Sequence, residues 1–102
     1  MKPALSAIKS RSQFDQVLAK TLADERAREA AAPAYPPWKW IVQQLDAAQK
    51  WSADGRAPTK QERDKILVGT IAMRELEPTT DLALYDLCQR LHELQYYFQE
   101  HL

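Results

Sequence analysis

Glycine is nearly absent from this 102-residue chain, which has only Gly55 and Gly69. A phosphate-cradling loop needs several glycines ahead of a helix start, so that class of nucleotide site is excluded. Cys88 is the single cysteine, and no intramolecular disulfide can form. His92 and His101 stand too far apart for the three- or four-residue spacing of a helical metal pair. No serine sits in a nucleophile elbow. Aromatic residues are not interleaved with basic ones, as they are in single-strand nucleic-acid binders. No run approaches the ~20 apolar residues that cross a bilayer. The opening "MKPALSAIKSRSQF" lacks the apolar core of a secretory signal. These absences predict a cytoplasmic protein with no cofactor, no metal and no reaction of its own.

Net charge is also missing, with 14 basic residues against 14 acidic. The balance is uneven along the chain. Residues 1–32 carry six basic and four acidic groups, whereas residues 59–102 carry five and eight. From Glu75 onward only Arg90 opposes Glu75, Glu77, Asp81, Asp86, Glu93 and Glu100. Such a surface repels phosphate backbones, so nucleic acid is not the expected partner, and a basic protein surface is the natural complement.

What is plentiful is Ala, Leu, Gln, Glu, Lys and Arg, all good helix formers. No alternating apolar runs bounded by turn dipeptides argue for hairpins. The expected fold is all-α: a single domain over 1–102, built as a compact antiparallel bundle of about four helices. The first, about 12–31, has Ser12 as its candidate N-cap and an apolar face of Phe14, Val17, Leu18 and Leu22. Its end, "ADERAREAAA", reads as a polar-faced extension. Pro33, Pro36 and Pro37 stop it, and Pro37 suits the first turn of the second helix, about 37–53. There Trp38, Ile41, Val42, Leu45 and Ala48 make one stripe and Trp40, Ala47 and Trp51 another. Gly55 and Pro58 end it. The third, about 60–77, opens with a capping box, "TKQE", and stops at Pro78. The fourth, about 80–100, opens at Thr79 or Thr80 and carries the stripe Leu84, Leu87, Cys88, Leu91, Leu94 and Phe98.

The segment "KILVGTIAMRELEPTTD" places Gly69 inside a predicted helix, at a cost of roughly 1 kcal/mol relative to alanine. Close approach of a neighbouring helix or ring offsets that cost, and the tryptophans of the second helix are the expected neighbours. Beyond it, Arg74, Glu75, Glu77 and Asp81 gather at a turn forced by Pro78. An exposed acidic corner suits docking to a basic patch better than acid–base catalysis, which needs a burial difference between the carboxylates. Trp and Tyr are favoured interface anchors. Cys88, on the apolar stripe, reads as a small buried hydrophobe.

"LVGTIAMRELEPTTDLALYDL", Leu67 to Leu87, resembles a segment of the small helical immunity proteins that protect bacteria from type VI secretion NAD(P)+ glycohydrolase toxins. The shared features are a small-residue step (Gly69-Thr70-Ile71-Ala72), a basic-Glu-apolar-acidic run (Arg74 to Glu77), a Thr/Asp turn, and a further helix with paired tyrosines. "KWIVQQLDAAQKW" is similar, more loosely, to the preceding helix. The resemblance implies an antitoxin that binds a cognate toxin domain, blocks its active site and prevents NAD(P)+ depletion. The contact candidates are Arg74, Glu75, Glu77 and Asp81, with Tyr85 and the exposed member of Tyr96 and Tyr97 as further candidates. The alternative is a helical adaptor or homodimer that associates through the Trp40/Trp51 face. A third reading has the acidic cluster act on a nucleotide.

Overall fold

Ser10, rather than Ser12, opens the first helix, α1 (Arg11–Ala31), its hydroxyl accepting the Gln13 N–H at 3.1 Å. The computed structural model describes residues 8–76 and 81–102. Helix α2 (Pro36–Trp51) begins with both prolines in its first turn, where a missing N–H leaves nothing unpaired. A 3-10 turn over Ala53–Gly55 follows, with Asp54 and Gly55 at positive φ of 58° and 78°. The capping box is as predicted. Thr59 Oγ1 accepts the Glu62 N–H, and Glu62 Oε1 accepts the Thr59 N–H, opening α3 (Lys60–Lys65). Then come α4 (Val68–Glu75) and α5 (Leu82–Glu100). Asp81 caps α5 by accepting the N–H groups of Ala83 and Leu84 at 2.9 and 3.2 Å. Thr79 and Thr80, the predicted opening, lie outside the described residues, as do Glu77 and Pro78.

Long-range contacts fix an up-down-up-down arrangement, the all-α bundle expected. Arg11 of α1 donates to the Ser52 carbonyl at the end of α2. Tyr35, just before α2, donates to the Glu75 carbonyl at the end of α4. Phe14 stacks on Tyr97 with ring centroids 5.3 Å apart, so the start of α1 meets the end of α5. The core holds the predicted stripes: Phe14, Leu18 and Leu22 from α1, Trp38, Ile41, Leu45 and Ala48 from α2, and Leu87, Cys88, Leu91, Leu94 and Phe98 from α5.

The predicted third helix is two helices. At Ile66 the backbone turns extended (φ −89°, ψ 102°), burying the Ile66 side chain and leaving Leu67 exposed. Such a break orphans carbonyls behind it and N–H groups ahead of it. Three glutamine side chains satisfy them. Gln44 of α2 donates to the Lys65 carbonyl at 2.9 Å and accepts the Leu67 N–H at 2.6 Å. Gln99 of α5 donates to the carbonyls of Arg63 and Ile66. Gln95, one turn back on α5, accepts the N–H groups of Gly69 and Thr70 at 2.9 and 3.2 Å, acting as the N-cap that α4 lacks locally. Met73, in the last turn of α4, is exposed.

Gly69 therefore lies in the first turn of α4, not mid-helix. Its close neighbour is α5, not the tryptophans: a Cβ here would stand 2.7 Å from His92 Cα and 2.8 Å from His92 Nδ1. The close-approach account holds, with the backbone of α5 as the partner. His92 itself is exposed.

The polar-faced reading of the end of α1 fails at Glu25. Thr21 and Glu25 continue the Phe14–Leu18 stripe by helical steps and are completely buried. Thr21 Oγ1 and both Glu25 carboxyl oxygens have no hydrogen-bond partner among the described residues. Arg28 Nε comes within 3.1 Å of Glu25 Oε2, an ion pair without hydrogen-bond alignment. Burial pushes the Glu25 carboxyl up to about 7, against the partial opposition of Arg28.

Two outcomes follow for stability. Gly69→Ala gains helix propensity yet forces α4 off the α5 backbone, so circular-dichroism melts should show a loss of about 1–3 kcal/mol; an unchanged or raised melting point would contradict the packing account. For Glu25, the unfolded side chain ionises near its ordinary 4.5 and the folded one near 7. The folded state therefore holds the proton longer, and stability drops as pH rises from 4.5 through 7, by on the order of 3 kcal/mol. Glu25→Gln, which cannot ionise, should be more stable than the parent above pH 7, with its advantage shrinking towards pH 5. A stability difference that did not change across that window would contradict this assignment.

Candidate functional site

The antiparallel packing brings the α1–α2 turn, the start of α2, the end of α4 and the start of α5 to one end of the bundle. Four of the predicted contact residues meet there. Arg74 and Glu75 close the last turn of α4 and pair at 3.1 Å; the Arg74 side chain is largely exposed and that of Glu75 is half-buried. The Tyr35 hydroxyl, bonded to the Glu75 carbonyl at 2.8 Å, ties this turn to α2. Asp81 is exposed but occupied as the α5 cap, so its carboxylate sets the direction of the helix as well as adding charge. One turn on, Tyr85 is half-exposed, its hydroxyl accepting from Gln89 Nε2 at 3.1 Å. Leu82 between them is 80% exposed, the most exposed large apolar side chain among the described residues. Glu77, also expected at this corner, lies outside the described residues.

Tyr96 and Tyr97 are not part of this cluster. They lie at the far end of α5, roughly 16 Å from Tyr85 at 1.5 Å per residue. Tyr96 is the exposed member and meets His101 edge-on at 5.4 Å. Tyr97 is half-buried and stacked on Phe14.

Sequence reasoning missed a second feature at the acidic end. Between α1 and α5 a cavity of about 450 Å³ opens, with buried Glu25 and Leu87 in its wall and Asp24, Arg28, Asp86 and Arg90 around them. Arg90 reaches Asp24 at 3.6 Å, and Arg28 lies over the Trp38 ring, 5.4 Å from its centroid. The signal was present in the sequence: Glu25 falls on the 14–18–22 register of the core face, where a carboxylate is out of place.

A separate hollow of about 360 Å³ lies between α2 and α4, bordered by Trp40, Trp51, Ile71 and Lys65. Trp40 is 42% exposed on it, so the second stripe of α2 is only partly covered. Cys88 is buried as predicted. Burial, and secondarily the charge of Glu25, raise its thiol pKa, the opposite of what a nucleophile needs. Among the described residues no group of three or more His, Cys, Asp or Glu could hold a metal ion, and no helix is long and apolar enough to cross a membrane.

Comparison with curated proteins returned no match, and neither did comparison with solved structures. Comparison with family patterns did: residues 13–100 match Tsi6. The match runs from the first turn of α1 to the last residue of α5 and takes in both bundle ends. The chain thus belongs to the Tsi6 family, a family of type VI secretion immunity proteins rather than of enzymes, for which the implied partner is a toxin protein.

Proposed function

We propose that this protein neutralises a type VI NAD(P)+ glycohydrolase toxin by binding its catalytic domain in the cytoplasm and occluding the active site. The observation that carries the reading is the family match over residues 13–100, joined to the earlier resemblance of Leu67–Leu87 to immunity proteins against toxins of that activity. The physical chemistry is compatible. An enzyme that binds a dinucleotide pyrophosphate is expected to present positive potential near its cleft, and an acidic, aromatic-bearing bundle end complements it. Arg74, Glu75, Asp81 and Tyr85, with Glu77 on the connecting segment, are the proposed contacts. Leu82 supplies exposed apolar area beside them. Tyr96 and Tyr97, at the other end, would belong to a separate contact, with Tyr96 as its accessible member.

A second reading draws on the exposed Trp40. Self-association through the α2–α4 hollow would cover it, making the chain a homodimeric module. Light scattering separates the two, since that reading requires a mass that grows with concentration.

Mixing the protein with the toxin domain should give a stoichiometric complex and abolish NAD(P)+ cleavage. Undiminished turnover at excess protein would contradict the proposal. Within the complex, Glu75→Lys combined with Tyr85→Ala should weaken binding by about tenfold to a hundredfold. At the exposed Tyr85 the change in stability should be no more than ~0.5 kcal/mol, and with Glu75 half-buried the double variant should still melt cooperatively. Asp81→Lys is unsuitable for this purpose, because losing the cap alone costs about 1 kcal/mol.

A further inference from the structure

The α1–α5 cavity has features that stability does not explain. Replacing a buried ion pair by well-packed apolar residues of similar size is commonly neutral or stabilising. Here Glu25 is kept fully buried, neither of its carboxyl oxygens has a hydrogen-bond partner among the described residues, and its ion pair with Arg28 is made at 3.1 Å through Oε2. The groups facing it are Asp24 and Arg28 from α1 and Asp86, Cys88 and Arg90 from α5. From α2, the Trp38 ring lies against the Arg28 guanidinium. Arg90 is taken up by Asp24. With Glu25 ionised, three carboxylates face two guanidiniums, which leaves one negative charge uncompensated in a cavity of about 450 Å³.

We propose that this cavity is a socket for one basic side chain, lysine or arginine, of the partner protein, with Glu25 Oε1 as its acceptor and Asp86 as the second carboxylate at the rim. That the partner is a toxin rests on the immunity reading above; the socket does not. An inserted ammonium or guanidinium supplies the hydrogen bond that Oε1 lacks, and the loss of water around the pair makes the contact strong and specific. Insertion requires the ionised carboxylate. Since Glu25 in the free protein titrates near 7, capture of the cation releases a proton, and the apparent affinity scales with the ionised fraction.

The test uses the full chain without any toxin. n-Butylammonium and n-propylguanidinium chloride are titrated while the Glu25 carboxyl carbon and the amides of Ala27, Ala83 and Leu87 are followed by NMR, with n-butanol as the uncharged control. The expected result is a saturable shift with at least one cation and none with butanol, tighter by about tenfold at about pH 8 than at about pH 6. Which cation binds better distinguishes a lysine socket from an arginine one. Glu25→Gln should abolish the shift; Ala83→Leu, which fills the cavity mouth and leaves the carboxylate in place, should abolish it independently. No saturable shift with either cation, or equal shifts in a folded Glu25→Gln or Ala83→Leu protein, would overturn the proposal. Toxin inhibition is read separately: an empty socket with intact inhibition sinks only this inference, and a filled socket without inhibition sinks only the immunity reading.

Discussion

The position of α4 against α5 governs the rest of this structure. Without a Cβ, Gly69 lets the first turn of α4 sit directly on the α5 backbone at His92. The chain breaks its helix at Ile66 just before that contact, and a break in the middle of a bundle exposes polar backbone groups that must be paired. Gln44, Gln95 and Gln99 pair them from the two flanking helices. The close approach and the glutamine bonds are one device. The first brings α4 in, and the second makes the break tolerable.

That placement determines what the acidic end can do. Because α4 runs antiparallel to α5 and tight against it, its final turn brings Arg74 and Glu75 to the bundle end where Asp81 and Tyr85 open α5, and Tyr35 fastens the same turn to α2. The carboxylates are thereby held on helix termini rather than on a loose loop, which lowers the ordering cost of binding. On the neighbouring face, Glu25 contributes a buried charge that weakens the isolated fold above neutral pH. The same opposition between stability and recognition is common at binding surfaces.

Much of the fold was legible. Core stripes on α1, α2 and α5 follow from periodicity, and Thr59, Glu62 and Gly55 announce their turns through local chemistry. The break at Ile66 was not legible, because its carboxamide partners are 21 to 36 residues away in sequence and a glutamine that caps a distant helix looks like any surface glutamine. For the same reason the neighbour of Gly69 was misassigned to the tryptophans: the need for close approach is local, whereas the identity of the approaching element is tertiary. Glu25 could have been found, since its register with Phe14, Leu18 and Leu22 is plain, but the alanine-rich charged context suggested a solvated end. The acidic corner was recognisable from composition and resemblance, and the separation of Tyr85 from Tyr96 already followed from the single helix expected over about 80–100, because eleven helical residues carry the chain well along the axis.

The central claim is that this end of the bundle, and not the Trp40 hollow or the Tyr96 end, is the principal recognition surface. Hydrogen–deuterium exchange of the protein free and bound to its toxin domain tests it most directly. The account predicts new protection over residues 24–28, 74–76 and 81–90. Protection confined to the Trp40–Trp51 face or to α3 and the end of α5, with the start of α5 exchanging as in the free protein, would contradict it.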